Sequence, residues 1–334
     1  MDELPADAPR PDQDLGSLLR EDPTRVFSGV PNPLAPDSPA IADTWQAELL
    51  RGHFENPREK WLVCCGRQSG KSLTAAGLAL VTALTATEDN VNVLIVSRSL
   101  RQSAEVLRAC RMLYWGLKGE RLRDRVGQRV GSIGHGSSKR KGLWVPGGLS
   151  KWLRKEGYDN QIEESRLGAL ACQDVATKDN VLTMEFTNGS RIISLPCKPD
   201  TTVGFSAVRL LILDEAARLP DGTYQFLSAT RAVVRGAVFC LSTPFGKRGD
   251  FYKLWSDCDK AQAQGKPEPW KRVKVTAPEI PRINKDWLEQ ERADIGEHMY
   301  LQEYECHFRD AIDSYFSSDA VAAAVKGNYE PLAW

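Results

Sequence analysis

Several common signatures are missing from this sequence, and each absence removes a class of protein. The 8 cysteines contain no CxxC pair, and the adjacent Cys64 and Cys65 sit inside an apolar run. That is the usage of a reducing cytosol, with thiols acting as small core residues. Histidine is scarce: His53, His135, His298 and His307 are isolated, and the last two lack helical ligand spacing, so a metal hydrolase is disfavoured. No GxSxG serine is present. The longest nearly apolar run, 77–86, is broken by Thr82 and is far too short to span a bilayer. The N-terminus, MDELPADAPR, offers neither a basic start nor an apolar stretch, so no secretory signal is expected. Charge of one sign is also lacking. Lys plus Arg number 44 and Asp plus Glu number 44, which excludes a uniformly basic nucleic-acid coat but not a local basic face. What remains is 334 residues, 42% hydrophobic and 26% charged, a globular composition long enough for one large domain or two ordinary ones. These features together predict a soluble intracellular protein.

The chain changes character along its length. Residues 1–40 hold eight of the nineteen prolines and eight acidic residues against three arginines, so they are expected to be flexible and loosely draped, with a short helix over 14–20. From Ile41 onward, Thr44 is expected to cap a short helix that leads to an apolar strand at 61–65. A helix over 71–84, a strand at 91–96 and a helix over 102–115 follow. This alternation predicts a mostly parallel sheet with helices on both faces. Between Lys118 and Lys155 it stops: eleven Lys or Arg residues face only Glu120 and Asp124, which reads as a basic insertion spanning about 118–175. A hairpin is predicted from 181–186 to 191–195 across Thr187-Asn188-Gly189. Buried strands are predicted at 210–213 and 237–241, another strand at 271–276, and helix from 286 to about 308.

The strand at 61–65 runs into Gly66-Arg67-Gln68-Ser69-Gly70-Lys71-Ser72 and then a helix. Such a loop wraps backbone N–H groups around a phosphate, aided by the positive end of the helix. Lys71 would reach the β and γ oxygens of ATP, and the Ser72 hydroxyl would ligate Mg²⁺. The usual pattern has glycine at the position of Cys65, with Gly66 beside it here.

A second strand, Arg209-Leu210-Leu211-Ile212-Leu213, ends in Asp214-Glu215. Asp214 is predicted to hold the Mg²⁺ shell and Glu215 to act as general base toward water. Two acids at this place could alternatively serve a helix N-terminus. A third strand ends in Ser242-Thr243-Pro244, hydroxyls suited to sensing a γ-phosphate, or simply a turn before proline. Upstream, Gln46 could read adenine through its paired donor and acceptor while Trp45 braces the pocket; a core Trp beside a surface Gln is the plainer alternative.

With those motifs in order, the chain resembles the ATPase domain of a tailed-bacteriophage large terminase, the DNA-packaging motor. The carrying residues are Trp45-Gln46, GRQSGKS from Gly66, VLIVSRSLRQ from Val93, NGSRI from Asn188, LLILDEAARLP from Leu210, and LSTPFGKRGDFYKLW from Leu241. WLEQERADIGEHMYLQEYECHF, from Trp287, resembles the end of that domain. The resemblance covers about 41–320. It implies a RecA-like (ASCE) P-loop NTPase fold with a C-terminal helical subdomain, ATP and Mg²⁺ as cofactors, and translocation of double-stranded DNA into a procapsid. It also implies a portal protein and a terminase small subunit as partners, a homo-oligomeric ring on assembly, no membrane, and the host cytoplasm as location. Arg67 matches the arginine that the family carries inside its phosphate loop, where it resembles a phosphate or signal sensor.

The departures are informative. Val203 falls where many relatives have arginine, so an arginine completing the site would be Arg67 in cis or another in trans, with Arg209 and Arg231 nearest in sequence. Residues 41–310 are expected to form the ATPase unit and 311–334 a tail leading toward an absent nuclease domain. No nuclease activity is therefore expected from this chain. The rival reading is a DEAD-like helicase, which needs a second RecA-like domain that about a hundred residues after Pro244 cannot supply.

Overall fold

The computed structural model describes residues 11–32, 34–87, 90–130, 179–180, 182–197, 204–310 and 324. Its centre is an eight-stranded sheet. The strands are β3 (Lys60–Cys65), β4 (Asn92–Ser97), β5 (Asp179–Asn180), β6 (Thr183–Glu185), β7 (Arg191–Pro196), β8 (Val208–Asp214), β9 (Ala237–Ser242) and β10 (Lys271–Val275). Their order is β10-β3-β9-β8-β4-β7-β6-β5. From β10 to β7 every neighbour is parallel, and β7, β6 and β5 pair antiparallel. Strands of Val, Ile, Leu, Phe and Cys suit this arrangement because the central strands are buried on both faces.

Alternating side chains feed two cores, as the two-residue period of a strand requires. Trp61, Val63, Ile95, Leu210, Ile212, Phe239 and Leu241 point to one face. Leu62, Leu94, Leu211, Leu213, Val238 and Cys240 point to the other. The first face is covered by α1 (Pro11–Glu21), α2 (Thr44–Glu55), α3 (Lys71–Thr85) and α4 (Leu100–Val130). The second is covered by α5 (Thr223–Ser228) and α6 (Gly249–Ala263), with Phe251, Leu254 and Cys258 turned inward. The helical ending consists of α7 (Lys285–Ile295) and α8 (Glu297–Glu303), which close the chain around Leu288, Tyr300 and Tyr304.

Four expectations need correction. Residues 15–30 of the N-terminal segment are packed, not loosely draped: Leu15, Leu19, Val26 and Phe27 are at most 1% exposed and join the main core. Spacing Leu15 and Leu19 one helical turn apart gives α1 an apolar stripe despite its acidic, proline-rich setting. A short β1 (Pro31–Asn32) and β2 (Ala35–Pro39) follow as a two-stranded ribbon. The seam against α4 is so close that a Cβ on Gly116 would lie 1.5 Å from the Gly29 carbonyl oxygen. Second, α4 does not stop at 115 but continues through 130 into the basic window, since Leu, Arg, Lys and Glu are good helix formers. Third, the helix expected over 286–308 is two helices, broken at Gly296 with φ 80°. Thr44 opens α2 rather than capping it; Asp43 is the N-cap. The hairpin of β6 and β7 forms as expected. Residues 131–178, which hold most of the basic insertion, together with Val203, lie outside the described residues, as do 1–10 and all of the 311–334 tail except residue 324. Among the described residues, no helix is long and apolar enough to cross a membrane.

Candidate functional site

The sheet topology brings the predicted motifs to one edge. β3 delivers the loop at 66–70, β8 delivers Asp214, and β9, ending in Ser242, lies between them. The loop itself is bent by two left-handed residues, Gln68 at φ 62° and Gly70 at φ 92°, before α3 begins at Lys71. Ser69 is 1% exposed and its hydroxyl has no partner, whereas Arg67, Gln68 and Ser72 are exposed at the loop's outer side. Cys65 ends β3, paired with Val275 and fully buried, and burial pushes its thiol up to about 12. The residue that must be glycine is Gly66: a Cβ there would sit 2.5 Å from the Tyr304 carbonyl oxygen.

Lys71 Nζ donates to Glu215 Oε1 at 2.5 Å, which joins the two halves of the site directly. Burial alone would lower the Lys71 pKa, but the charges of Glu215 and Asp214 outweigh it and hold the ammonium above its usual value. Asp214 is 3% exposed, and burial raises its carboxyl to about 6, with Lys71 pulling the other way and Glu215 adding to the rise. Its Oδ1 has no hydrogen-bond partner, and neither has Glu215 Oε2. Glu215 adopts a left-handed φ of 53°, so the chain turns sharply as it leaves β8. Ser242 Oγ accepts from the Ala217 N–H at 3.1 Å and donates to the Thr243 carbonyl at 2.7 Å. The Ser242 hydroxyl therefore touches the segment just after Glu215, and Thr243 is itself buried.

On the other side of the loop, Gln46 is only 3% exposed, and its amide is occupied within the protein. Its Oε1 accepts from the Asp43 N–H at 2.9 Å and its Nε2 donates to Thr74 Oγ1 at 2.8 Å. In this structure the donor–acceptor pair expected to read adenine ties α2 to α3, with partners at Asp43 and Thr74. Trp45 is 7% exposed and packs into the core. Thr74 Oγ1 in turn donates to the Gly70 carbonyl at 3.0 Å. Arg282, which no motif indicates, bonds both the Asp43 carboxylate and the Ser69 carbonyl. Beside this brace lies a cavity of about 500 Å³ lined by Ile41, Asp43, Trp45, Glu48, Lys274 and Arg282, among others.

Two further residues of the site are unmarked in the sequence. Glu303, at the end of α8, receives Arg67 Nε at 2.6 Å and Arg218 Nη2 at 3.1 Å. Arg218 Nε is also 4.0 Å from Glu215 Oε2. Arg209 and Arg231 are placed away from this edge. Arg209 lies near the start of β8, and at about 3.3 Å per residue that puts it roughly 17 Å from Asp214. Arg231 precedes β9 and donates to the Gly236 carbonyl at 2.6 Å. Arg282, Glu303 and Arg218 carry no local pattern that reveals them, although Arg218 stands inside LLILDEAARLP.

A family model described as terminase large subunit, T4likevirus-type, N-terminal, matches residues 62–322. Among solved structures, the large terminase of bacteriophage HK97 is similar, with a TM-score of 0.56 and 16% identity over 87% of this chain and 55% of that one. This chain thus spans about half the length of that terminase. The Thermus phage P74-26 large terminase ATPase domain matches with a TM-score of 0.49 and 17% identity, covering 80% of this chain and 94% of that one. A large terminase from a thermophilic bacteriophage gives 0.49 and 12%, covering 84% and 57%. No curated protein matches in sequence. The HK97 likeness concerns the fold, which is RecA-like with a mostly parallel sheet. The family model spans more than half of the chain and takes in the loop at Lys71, the acid pair at Asp214 and the closing helix at Glu303, and the chain belongs to the terminase large subunit family, T4likevirus-type, N-terminal.

Proposed function

We propose that this chain binds ATP on the loop at 66–72 and hydrolyses its β–γ bond, as the ATPase part of a motor that moves double-stranded DNA into a procapsid. The observation that carries the proposal is the meeting of Lys71 and Glu215 at 2.5 Å beside a buried, unpartnered Asp214 oxygen. A cation from one motif and two acids from another, 144 residues away, converge where a helix N-terminus points its N–H groups.

The donor set fits a magnesium ion. Asp214 Oδ1 is a buried carboxylate oxygen that lacks a donor, and Ser72 offers an exposed hydroxyl two residues beyond the loop's Gly70. Asp214 and Ser72 would hold Mg²⁺, which neutralises charge on the phosphate oxygens. Lys71 exchanges Glu215 for the β and γ oxygens when the phosphates enter. Glu215, released from that pair, accepts at its carboxylate a proton from the water that attacks the γ-phosphorus. Gln46 and Arg282 hold the loop's shape from behind, and Ser242 keeps the turn after Glu215 in place. Arg67 belongs to the loop itself and is the arginine offered in cis. Arg209 and Arg231, at the far end of the sheet, fit only a role offered to a neighbouring copy in a ring.

Residues 15–310 are proposed as the ATPase unit, with the partners of its family: double-stranded DNA, a portal protein and a small subunit, in the host cytoplasm. The test is release of phosphate from Mg-ATP by the purified chain, alone and with Lys71→Ala. Removal of the ammonium is expected to abolish both nucleotide binding and hydrolysis. Hydrolysis that survives Lys71→Ala would assign the activity to something other than this loop.

A further inference from the structure

The cavity of about 500 Å³ beside the Arg282 brace adjoins the phosphate loop, and two of its lining residues are tied to that loop. The Val275 carbonyl accepts the Gly66 N–H at 2.9 Å, and Arg282 bonds the Ser69 carbonyl. Its inner wall is apolar: Trp45, Val273, Val275 and Ile280 line it, each at most 8% exposed. At its rim Leu34 and Ile41 are 66% and 81% exposed, large apolar side chains open to solvent. A flat aromatic base joined to a phosphate chain on the loop fits such a slot and would cover the rim.

Gln46, the residue expected to read adenine, does not line this cavity. It is 3% exposed, with Oε1 accepting from the Asp43 N–H and Nε2 donating to Thr74 Oγ1. To read a base the amide would leave both partners and uncap the first turn of α2. The polar side chains that do face the cavity near the loop are also occupied. Asp43 and Arg282 hold each other, and Glu279 accepts from the Thr276 N–H and hydroxyl. Glu48 and Lys274 stand exposed on its border. These side chains offer a base apolar contact but no fixed donor–acceptor pair.

A pocket of this kind selects by shape. Apolar pockets separate ligands of similar size by about a hundredfold, whereas a site that hydrogen-bonds a substrate group rejects the analogue lacking it by about 10⁴-fold or more. Resting on the nucleotide reading above, we propose that this cavity seats the nucleotide base by apolar contact, without Gln46, and separates adenine from guanine only weakly. The chain then accepts GTP as well as ATP. Gln46 is a positioning residue that shapes the loop equally for either.

The experiment measures kcat and KM of the whole chain with Mg-ATP and with Mg-GTP, for the parent, Gln46→Ala and Ala42→Trp. In the parent, kcat/KM for the two nucleotides is expected to agree within about a hundredfold. Gln46→Ala should raise both KM values by the same factor and leave their ratio within about threefold of the parent's, whereas an amide that reads adenine would lose ATP selectively. Gln46→Glu keeps the acceptor for the Asp43 N–H and removes the donor, and it serves if the alanine variant does not fold. Ala42→Trp, which fills the cavity, should raise both KM values about tenfold or more with kcat held. Ile41→Asp, on the exposed rim and clear of the core, should act in the same direction more weakly. A preference for ATP above about a hundredfold, a ratio that shifts in the Gln46 variants, or KM values untouched by both cavity variants overturns the proposal while leaving the nucleotide reading intact. Failure of the parent to act on either nucleotide removes the nucleotide reading and this inference together.

Discussion

At the C-terminal ends of β3, β9 and β8 the protein gathers Lys71, Asp214, Glu215 and Ser242, and it leaves Asp214 Oδ1, Glu215 Oε2 and Ser69 Oγ without hydrogen-bond partners. Gln68, Gly70 and Glu215 are left-handed there. At the opposite ends of the same strands lie Trp61, Phe239 and His53. Trp61 and Phe239 stack at 5.8 Å, and His53 meets Phe239 edge-on at 5.3 Å. His53 Nε2 is 2.8 Å from Thr82 Oγ1, whose own proton goes to the Leu78 carbonyl, so the ring donates from Nε2. Burial, with Arg209 adding to it, lowers the His53 pKa to about 4. One end of the sheet gathers the charged cluster that chemistry needs; at the other, Trp61, Phe239 and His53 pack into the core. Changes at the two ends should separate turnover from stability.

The largest separation is expected from Glu215→Gln. The amide keeps the shape but cannot take a proton, so hydrolysis should fall roughly 10²–10⁴-fold while Mg-ATP binding persists. Single-turnover hydrolysis with parallel nucleotide titration measures both; near-normal turnover would remove Glu215 from its proposed role. At the other end, Phe239→Ala removes a fully buried ring that contacts both Trp61 and His53, and should cost about 3–5 kcal/mol of stability. Turnover per folded molecule should hardly move. Urea unfolding gives the first quantity, and a loss under about 1 kcal/mol would deny this end its structural character.

A smaller effect follows from His53. Its folded pKa of about 4 lies below the ordinary value of 6.5, so the unfolded chain binds the proton more readily. Its contribution to stability is therefore present above pH 6.5 and is lost as pH falls toward 4, by up to roughly 3 kcal/mol. Urea midpoints at about pH 7 and about pH 4.5, on either side of most of that window, should show a steeper decline for the parent than for His53→Gln. Equal declines would mean that His53 titrates freely in the folded chain.

The contrast between the two ends is only half legible in the sequence. Strands at 61–65, 210–213 and 237–241 announce themselves as continuous apolar runs, 91–96 is interrupted only by Asn92, and the loop at 66–72 and the acid pair stand at strand ends. The N-terminal segment misleads because prolines and acids dominate its composition, while Leu15, Leu19, Val26 and Phe27, which decide its packing, are few. The long-range charge pairs are invisible for a different reason. Arg67 and Glu303 are 236 residues apart, and Asp43 and Arg282 are 239 apart. No local spacing records such pairs; only closure of the chain over the sheet creates them.

The smallest predicted effect belongs to the Arg282 brace, which sits at the functional end yet contacts only protein. Its guanidinium joins the Asp43 carboxylate to the Ser69 carbonyl, with the Arg282 and Asp43 side chains partly buried, at 23% and 16% exposed. Losing it leaves Lys71, Asp214 and Glu215 in place but frees the backbone that orients the loop's N–H groups. Arg282→Ala should therefore raise the KM for ATP about three- to tenfold with kcat nearly unchanged, the reverse of Glu215→Gln. Asp43→Ala should do the same through the lost partner. If the two act as one brace, the double variant should be little worse than either single, giving a coupling of about 1 kcal/mol in a double-mutant cycle. Steady-state kinetics on the four proteins decides it. Additive losses would mean that each residue meets the nucleotide on its own, and a fall in kcat would place Arg282 in the chemistry, so that the division between the two ends of the sheet would need a third, mixed region behind the loop.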